Sequence, residues 1–271
     1  MMMFPLLPQV SQPDRSCATL ALTPDSLVAL YDLSEVTLSM VDIDHQIPAL
    51  GAHKCPLCGA TQALHWHRRG ERDYWCCQRC QLVSVPVQQH VSAELEKAEY
   101  DRHENTLDDV GYRRFLGRTF YTITDRMPPG CQGLDFGCGP GPALAAMLEE
   151  AGYPVALYDL YYRPDSEVLQ RRFHFITLTE VIEHLAEPAK VLSQLWQQLL
   201  PGGLLVIQTQ QVRDQAAFRQ WRYIHDPTHI AFYAPATFRW MAQWLEAADL
   251  EIVTADVVAL RKAGALGDES A

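Results

Sequence analysis

The 271-residue sequence is informative first for what it lacks. No run approaches the roughly 18 consecutive apolar residues that a membrane-spanning helix needs, so a bilayer span is not expected. Positive charge is scarce: 22 Lys and Arg stand against 33 Asp and Glu, a net charge of −11. A broadly basic nucleic-acid binder is therefore disfavoured, although a local basic patch is compatible with this balance. The opening MMMFPLLPQV has no charged region ahead of its apolar stretch, and Pro5 and Pro8 interrupt it, which makes it a poor secretory signal. The eight cysteines are clustered within a long chain and do not read as a disulfide framework. These absences lead to the expectation of a soluble cytoplasmic protein with reduced thiols. No internal repeat is visible, and no G-x-x-x-x-G-K-[ST] loop is present for cradling the phosphates of ATP.

Hydrophobic residues make up 48% of the chain, enough for a sizeable core. At about 150 residues per domain the length allows one large domain or a large and a small one. Residues 1–50 carry Asp14, Asp25, Asp32, Glu35, Asp42 and Asp44 against Arg15 alone, with three early prolines, and read as a loosely ordered acidic extension. Within it, residues 24–41 have the pattern of a short helix or strand. Residues 51–88 form a second, cysteine-rich segment. Residues 95–262 begin with a helical stretch, interrupted at Pro128-Pro129-Gly130, and then alternate. GLDF, VALYD, FITLTE and LLVIQTQ read as strands, separated by helices at PALAAMLEEAG and PAKVLSQLWQQLL. A helix at ATFRWMAQWLEAA precedes a last strand, EIVTADVVAL. This alternation predicts an α/β fold with a largely parallel sheet. Residues 263–271 read as a flexible tail.

The strongest local signal is Leu134-Asp135-Phe136-Gly137-Cys138-Gly139-Pro140-Gly141, which follows a strand and opens a helix. Glycines there let the backbone turn sharply and approach a ligand closely. A dinucleotide fingerprint would need glycine at position 142, where Pro142 stands. What remains is an acid, G-x-G-x-G, and a second acid, Asp159, at the end of the next strand, placed to hydrogen-bond the hydroxyls of a ribose.

This pattern resembles motif I of class I S-adenosylmethionine-dependent methyltransferases, over about residues 95–260. The resemblance implies a Rossmann-like sheet that binds S-adenosylmethionine. It implies that Gly137, Gly139 and Gly141 line the turn, Asp135 orients it and Asp159 binds ribose. Only fifteen residues separate Asp159 from Phe175, too few for the helix, third strand and adenine contact usual in that family. Tyr161 and Tyr162 are candidates to stack on adenine, or ordinary packing aromatics. In many members the segment before the turn forms a lid, which makes Arg114 a candidate partner for the methionine carboxylate and Tyr100 a candidate lid residue.

Glu180-Val181-Ile182-Glu183-His184 falls where the fourth strand of that fold ends. It is similar to the post-motif of ubiquinone-pathway O-methyltransferases and small-RNA 2′-O-methyltransferases, where such a cluster can hold a divalent cation. Two carboxylates and an imidazole suit Mg²⁺ or Mn²⁺; without a metal, His184 is a candidate general base. A purely structural role for the cluster stays open. Family members often show a D-x-T-H stretch further on, which makes His229, ahead of His225, the candidate additional ligand or catalytic group.

Cys55-x-x-Cys58 and Cys77-x-x-Cys80 are separated by eighteen residues, inside the window for a four-thiolate zinc site. The segment resembles a zinc ribbon, with structural Zn²⁺ expected at Cys55, Cys58, Cys77 and Cys80. Cys17, Cys76, Cys131 and Cys138 are read as outside it. Lys54, Arg68, Arg69, Arg72 and Arg79 outnumber Glu71 and Asp73 there, interleaved with His65, Trp66, His67, Tyr74 and Trp75. Such a surface can contact RNA, although packing of these aromatics in or against the ribbon is favoured. The expected function is methyl transfer to a small hydroxylated metabolite. The alternatives are an RNA acceptor met through the ribbon and a non-catalytic binding protein that keeps the fold as a scaffold.

Overall fold

The computed structural model describes residues 50–51, 53–102 and 106–266. The expectations for the acidic extension before residue 50, the element at 24–41, Cys17 and the last tail residues lie outside the described residues. From the N-terminal side, β1 (Leu50–Gly51), β2 (Ala63–Arg69), β3 (Arg72–Cys77) and β4 (Val83–Ser84) come first. They are followed by α1 (Ala93–Tyr100), α2 (Val110–Thr124), β5 (Gly133–Phe136), α3 (Ala143–Glu150), β6 (Val155–Tyr158) and β7 (Phe173–Thr179). The chain continues through α4 (Pro188–Gln198), β8 (Leu199–Gln208), α5 (Gln215–Arg219), β9 (Ala231–Phe232), α6 (Pro235–Trp244), β10 (Asp249–Ile252) and β11 (Val257–Arg261).

Two sheets organise these elements. The larger has strand order β10-β11-β8-β7-β5-β6. Its β6, β5, β7 and β8 run parallel, and β11 and β10 pair antiparallel at one edge. The period-2 alternation of the strands divides the core between two faces. Ile176, Leu178, Leu205, Ile207, Val258 and Leu260 pack with Leu192 and Leu195 of α4 and Phe238 and Met241 of α6. Their neighbours Phe175, Leu204, Val206, Val257 and Ala259 pack on the other side with Leu116 and Ile123 of α2 and Leu144 and Leu148 of α3. This is the doubly wound α/β arrangement expected from the alternation.

The helices begin where local chemistry allows. Asp109 caps α2 by accepting the Tyr112 N–H at 2.7 Å, and Ser92 caps α1. Pro188 and Pro235 open α4 and α6, where a missing N–H costs nothing. Between β6 and β7 the chain makes only a short 3-10 turn at Val168–Gln170, matching the abbreviation seen in the sequence. One expected element is corrected: EIVTADVVAL is a hairpin of β10 and β11, not one strand. Thr254 and Asp256 break it, since the Thr254 Oγ1 donates to Asp256 Oδ1 at 2.7 Å and accepts the Val257 N–H at 3.0 Å.

The smaller sheet, β1-β2-β3-β4-β9, joins the cysteine-rich segment to the rest of the chain. Its last pairing sets Val83 opposite Phe232 and Ser84 opposite Ala231. Cys55, Leu57, Cys77, Cys80 and Leu82 belong to the same core as α4 and α6. The described residues accordingly belong to one compact unit, with the cysteine-rich segment built into it.

Gly133 is the tightest point of the main sheet. A Cβ there would lie 2.0 Å from the Phe175 ring, which occupies the paired position on β7. Gly133→Ala is expected to cost about 1–3 kcal/mol by overpacking. Urea unfolding measures this cost, and Phe175→Leu in the same chain should recover part of it.

Candidate functional site

The carboxyl ends of β5, β6, β7 and β8 form one edge, where ligands of open α/β sheets bind. The glycine turn leaves this edge directly after β5. The Gly137 and Cys138 N–H groups donate to the Tyr158 carbonyl at 2.8 and 3.2 Å, anchoring the turn to β6. Gly137 has φ +77°, and a Cβ there would lie 2.5 Å from Val181 Cγ2, so the turn packs against the loop after β7 only because residue 137 is glycine. Gly139, at φ +64°, faces open space. Pro140 and Pro142 have no N–H. Between them the Gly141 N–H has no hydrogen-bond partner among the described residues.

The two acids of the turn have different positions. Asp159 is buried and holds the turn: Oδ2 accepts the Gly139 N–H at 2.9 Å, and Oδ1 accepts the Tyr161 and Tyr162 N–H groups at 2.8 and 3.0 Å. Two lone pairs per oxygen leave one acceptor position on Oδ2. Asp135 instead sits within the sheet, accepting the Thr177 hydroxyl at 2.7 Å, and burial pushes its pKa up to about 6. Among the described contacts it makes no hydrogen bond to the turn itself.

At the end of β7, Glu180 is forced into a left-handed conformation, φ +52°, while its N–H donates to the Gln208 carbonyl at 2.8 Å. Glu180 and the fully buried Glu183 are joined by a residue from a different segment, Tyr223. Its hydroxyl donates to Glu183 Oε1, lies 3.2 Å from Glu180 Oε2, and is 3.1 Å from Thr209 Oγ1. Glu180 Oε1 and Glu183 Oε2 are buried without a hydrogen-bond partner. Burial first, and the Glu183 charge second, push the Glu180 pKa up to about 8.

Beside this pair stand two imidazoles. His184 Nδ1 is 3.1 Å from the Thr228 carbonyl, and His229 Nδ1 is 2.7 Å from that of Tyr223. A carbonyl only accepts, so each Nδ1 carries a proton. Burial lowers the pKa of His229, with His184 adding to the shift, which keeps it neutral. Glu183, His184 and His229 each bring one ligand atom within 4.8 Å of the others. Glu180 is outside that trio and reaches it through Tyr223. His225 is exposed, whereas His229 is buried.

Helix α1 covers this edge. Tyr100 meets the His184 ring edge-on at 5.2 Å and donates to Glu96 Oε1 at 2.8 Å. Tyr161 donates to Glu96 Oε2 at 2.8 Å and Tyr162 to Asp101 Oδ1 at 2.6 Å, so both brace α1 through their hydroxyls. Arg114 is exposed on α2. Tyr112, two residues earlier and about 200° around the helix, is the one close enough to Asp135, Glu180 and Cys138 for their charges to raise its pKa, after burial, to about 12.

The four cysteines come together as their spacing predicts. Cys55 and Cys80 Sγ are 3.5 Å apart, Cys58 and Cys77 Sγ are 3.4 Å apart, and all four fall within 4.8 Å. The two knuckles repeat one geometry: Gly59 and Gln81, each directly after the second cysteine, have φ +71° and +61°. Their N–H groups donate to the Cys55 and Cys77 carbonyls, both at 3.0 Å. Four thiols converging in this way match the chemistry of a tetrahedral thiophilic ion, for which Zn–S bonds of about 2.3 Å imply sulfurs nearly 4 Å apart. Two of the neighbouring aromatics pack on the rest of the chain, whereas Trp75 is half-buried beside His53 and His65. Tyr74 is fully buried and meets Phe218 and Phe232, and Trp66 lies 5.5 Å from Phe218, both rings packing on the segment that carries Tyr223.

Sequence reasoning did not single out Tyr223, Thr209, Tyr112 or Arg72. Tyr223 lies in a His-, Trp- and Tyr-rich stretch after β8, and Arg72 stood out only as one of the basic residues of the cysteine-rich segment.

Residues 109–255 match the family model described as a methyltransferase domain. A comparison with curated proteins finds no match. Among solved structures, an O-methyltransferase family protein from Burkholderia thailandensis is 11% identical, with 63% of this chain and 64% of that one covered and a TM-score of 0.46. The 1,6-didemethyltoxoflavin-N1-methyltransferase of the same organism is 14% identical, with 73% and 98% covered and a TM-score of 0.39. Human N-acetylserotonin methyltransferase is 11% identical, with 55% and 51% covered and a TM-score of 0.40. No helix among the described residues is long and apolar enough to cross a membrane.

The buried carboxyl of Glu180 gives a pH signature. A carboxyl whose folded pKa lies above its unfolded value, 4.5, costs stability as pH rises between the two. Glu180→Gln should therefore gain thermal stability over the wild type as pH is raised from 6 to 9. Parallel melting curves at both ends would contradict this assignment.

Proposed function

The chain belongs to the methyltransferase-domain family, and from that premise we propose that it transfers the methyl group of S-adenosylmethionine to a hydroxyl of a small acceptor. The observation that carries this reading is a shared edge: the glycine turn tied to Asp159, and the Glu180–Tyr223–Glu183 pair with its two imidazoles, stand at the carboxyl ends of adjacent parallel strands. Features of the turn fit the donor. Gly139 faces open space, the Gly141 N–H is free among the described residues, Asp159 retains one acceptor position, and Glu180 Oε1 is buried and unpartnered. In this reading Asp159 holds one ribose hydroxyl, and the start of α3 faces the methionine carboxylate, which a helix N-terminus favours. Bound S-adenosylmethionine supplies a methyl group on a sulfonium, open to in-line displacement by an acceptor oxygen.

The protein's part is then to orient the acceptor and remove its proton. Glu183, His184 and His229 bring their ligand atoms together, and Glu183 Oε2 has no hydrogen-bond partner among the described residues. Either they take the hydroxyl proton directly, with His184 as base, or they hold Mg²⁺ or Mn²⁺. A bound cation would acidify the acceptor hydroxyl. The donor set, one carboxylate and two imidazoles, is compatible with a divalent ion whose other positions are filled by water or substrate, and its two nitrogens suit Mn²⁺ better than Mg²⁺.

A small acceptor is favoured over RNA because Tyr74 and Trp66 of the ribbon pack inward, leaving its exposed basic residues without an aromatic platform from those two rings. The four cysteines fit structural Zn²⁺, with all four positions filled by protein.

Calorimetry should show S-adenosylmethionine binding that Asp159→Ala weakens tenfold or more, about the worth of one hydrogen bond to a charged group. With labelled S-adenosylmethionine and cell extract, label should enter the small-molecule fraction, and Glu183→Gln should reduce it. Unchanged binding in the Asp159 variant, or label confined to RNA, would overturn the assignment; activity that survives EDTA would select the metal-free base.

A further inference from the structure

The segment from Tyr223 to His229 carries two residues of the acidic site, and beyond a single 3-10 turn at Arg222–His225 it has no regular structure of its own. A buried irregular backbone must find donors for its carbonyls, and here most are side chains. The Tyr223 carbonyl accepts from His229 Nδ1, and the Thr228 carbonyl from His184 Nδ1. The His229 N–H donates to the Asp226 carbonyl at 3.3 Å, and further donors come from the cysteine-rich hairpin, about 150 residues earlier in the chain. The Tyr74 hydroxyl donates to the Ile224 carbonyl at 3.1 Å. Arg72, the first residue of β3, grips two more: Nη1–H donates to the Asp226 carbonyl at 3.0 Å and Nη2–H to the His229 carbonyl at 2.6 Å. Its guanidinium carbon stands 5.6 Å from the centre of the Tyr74 ring. On the far side, the Ile230 N–H donates to the Glu183 carbonyl at 2.9 Å. The loop is thus clamped between the ribbon hairpin and the loop after β7.

We propose that Arg72 is a positioning residue, which fixes the Tyr223–His229 loop so that the Tyr223 hydroxyl and His229 imidazole meet Glu183. The function of the ribbon in this molecule is then internal: the four-cysteine cluster stiffens the hairpin, and the hairpin sets the acceptor side of the methyltransferase site. Arg72 is suited to this because a planar guanidinium donates in two directions at once, and burial makes each bond hard to exchange for water. The role in methyl transfer rests on the function proposed above; the clamping of the loop does not.

The test is hydrogen–deuterium exchange on the full chain, comparing wild type, Arg72→Met, Arg72→Lys and Arg68→Met, an exposed position on the same hairpin. Zinc content and S-adenosylmethionine affinity are measured alongside. In Arg72→Met, amides of residues 224–230 should exchange at least tenfold faster, about what losing one charged hydrogen bond implies. Residues 133–158, zinc content and donor affinity should stay within twofold of the wild type. Arg72→Lys should recover part of the protection, and Arg68→Met should match the wild type. On the fraction of extract that the wild type labels, Arg72→Met should lower kcat at least tenfold. Unchanged exchange at 224–230, loosening spread equally over 133–158, or faster loop exchange with undiminished kcat would each overturn the proposal. Wild-type chain that binds no S-adenosylmethionine would defeat the proposed function, while the exchange rates at 224–230 would still decide whether Arg72 clamps the loop.

Discussion

The Tyr223 hydroxyl is the contact on which the site depends. Two carboxylates from a single short turn, the half-buried Glu180 and the fully buried Glu183, share one hydroxyl, where mutual repulsion and the loss of water oppose ionisation of both. Tyr223 supplies a donor between them, and Thr209 at the end of β8 lies against the same oxygen. The raised pKa of Glu180 expresses what remains uncompensated. Each glutamate is left with one buried oxygen that has no hydrogen-bond partner among the described residues. Such an arrangement is costly for stability alone, and functional sites are where buried titratable groups of this kind concentrate.

That contact also explains why the two sheets belong together. The parallel sheet brings the glutamates to its carboxyl edge, beside the glycine turn, but it has no residue to place opposite them. The opposing residues come from the loop at Tyr223–His229, after α5, which takes several of its backbone donors from the cysteine-rich hairpin. The β4–β9 pairing and the buried aromatic cluster of Tyr74, Phe218 and Phe232 hold the two parts in register. The four-cysteine cluster lies in the core shared with α4 and α6, so its geometry is tied to that of the main sheet.

Much of this was legible in the sequence because it rests on local rules. Strand periodicity and the strand–glycine–helix order located β5 to β8, the turn and Asp159, and cysteine spacing located the two knuckles. The short stretch between Asp159 and Phe175 foretold a connection without a third strand. Reading failed where a residue's role depends on a distant segment. Arg114 was favoured by charge, but helix α2 turns Tyr112 toward the site and leaves Arg114 exposed. Asp135 was expected to orient the turn, and Asp159 does so, because the N–H groups of the turn point to β6 while Asp135 faces Thr177. Tyr161 and Tyr162 serve α1 through their hydroxyls. The hairpin of β10 and β11 was hidden by its apolar ends. Nothing local in Arg72 or Thr209 marks either as part of a site, since their partners lie some 154 and 14 residues away.

If donor and acceptor chemistry meet between the glycine turn and the Glu180–Tyr223–Glu183 cluster, a bound donor must span the two. A crystal structure of the full chain with S-adenosylhomocysteine tests this most directly. The expected result is a ribose hydroxyl on Asp159 Oδ2, the amino-acid portion at Gly139 and Gly141, and the sulfur directed at the glutamate pair. A ligand bound elsewhere, or one at the turn with its sulfur directed away from Glu180 and Glu183, would refute it.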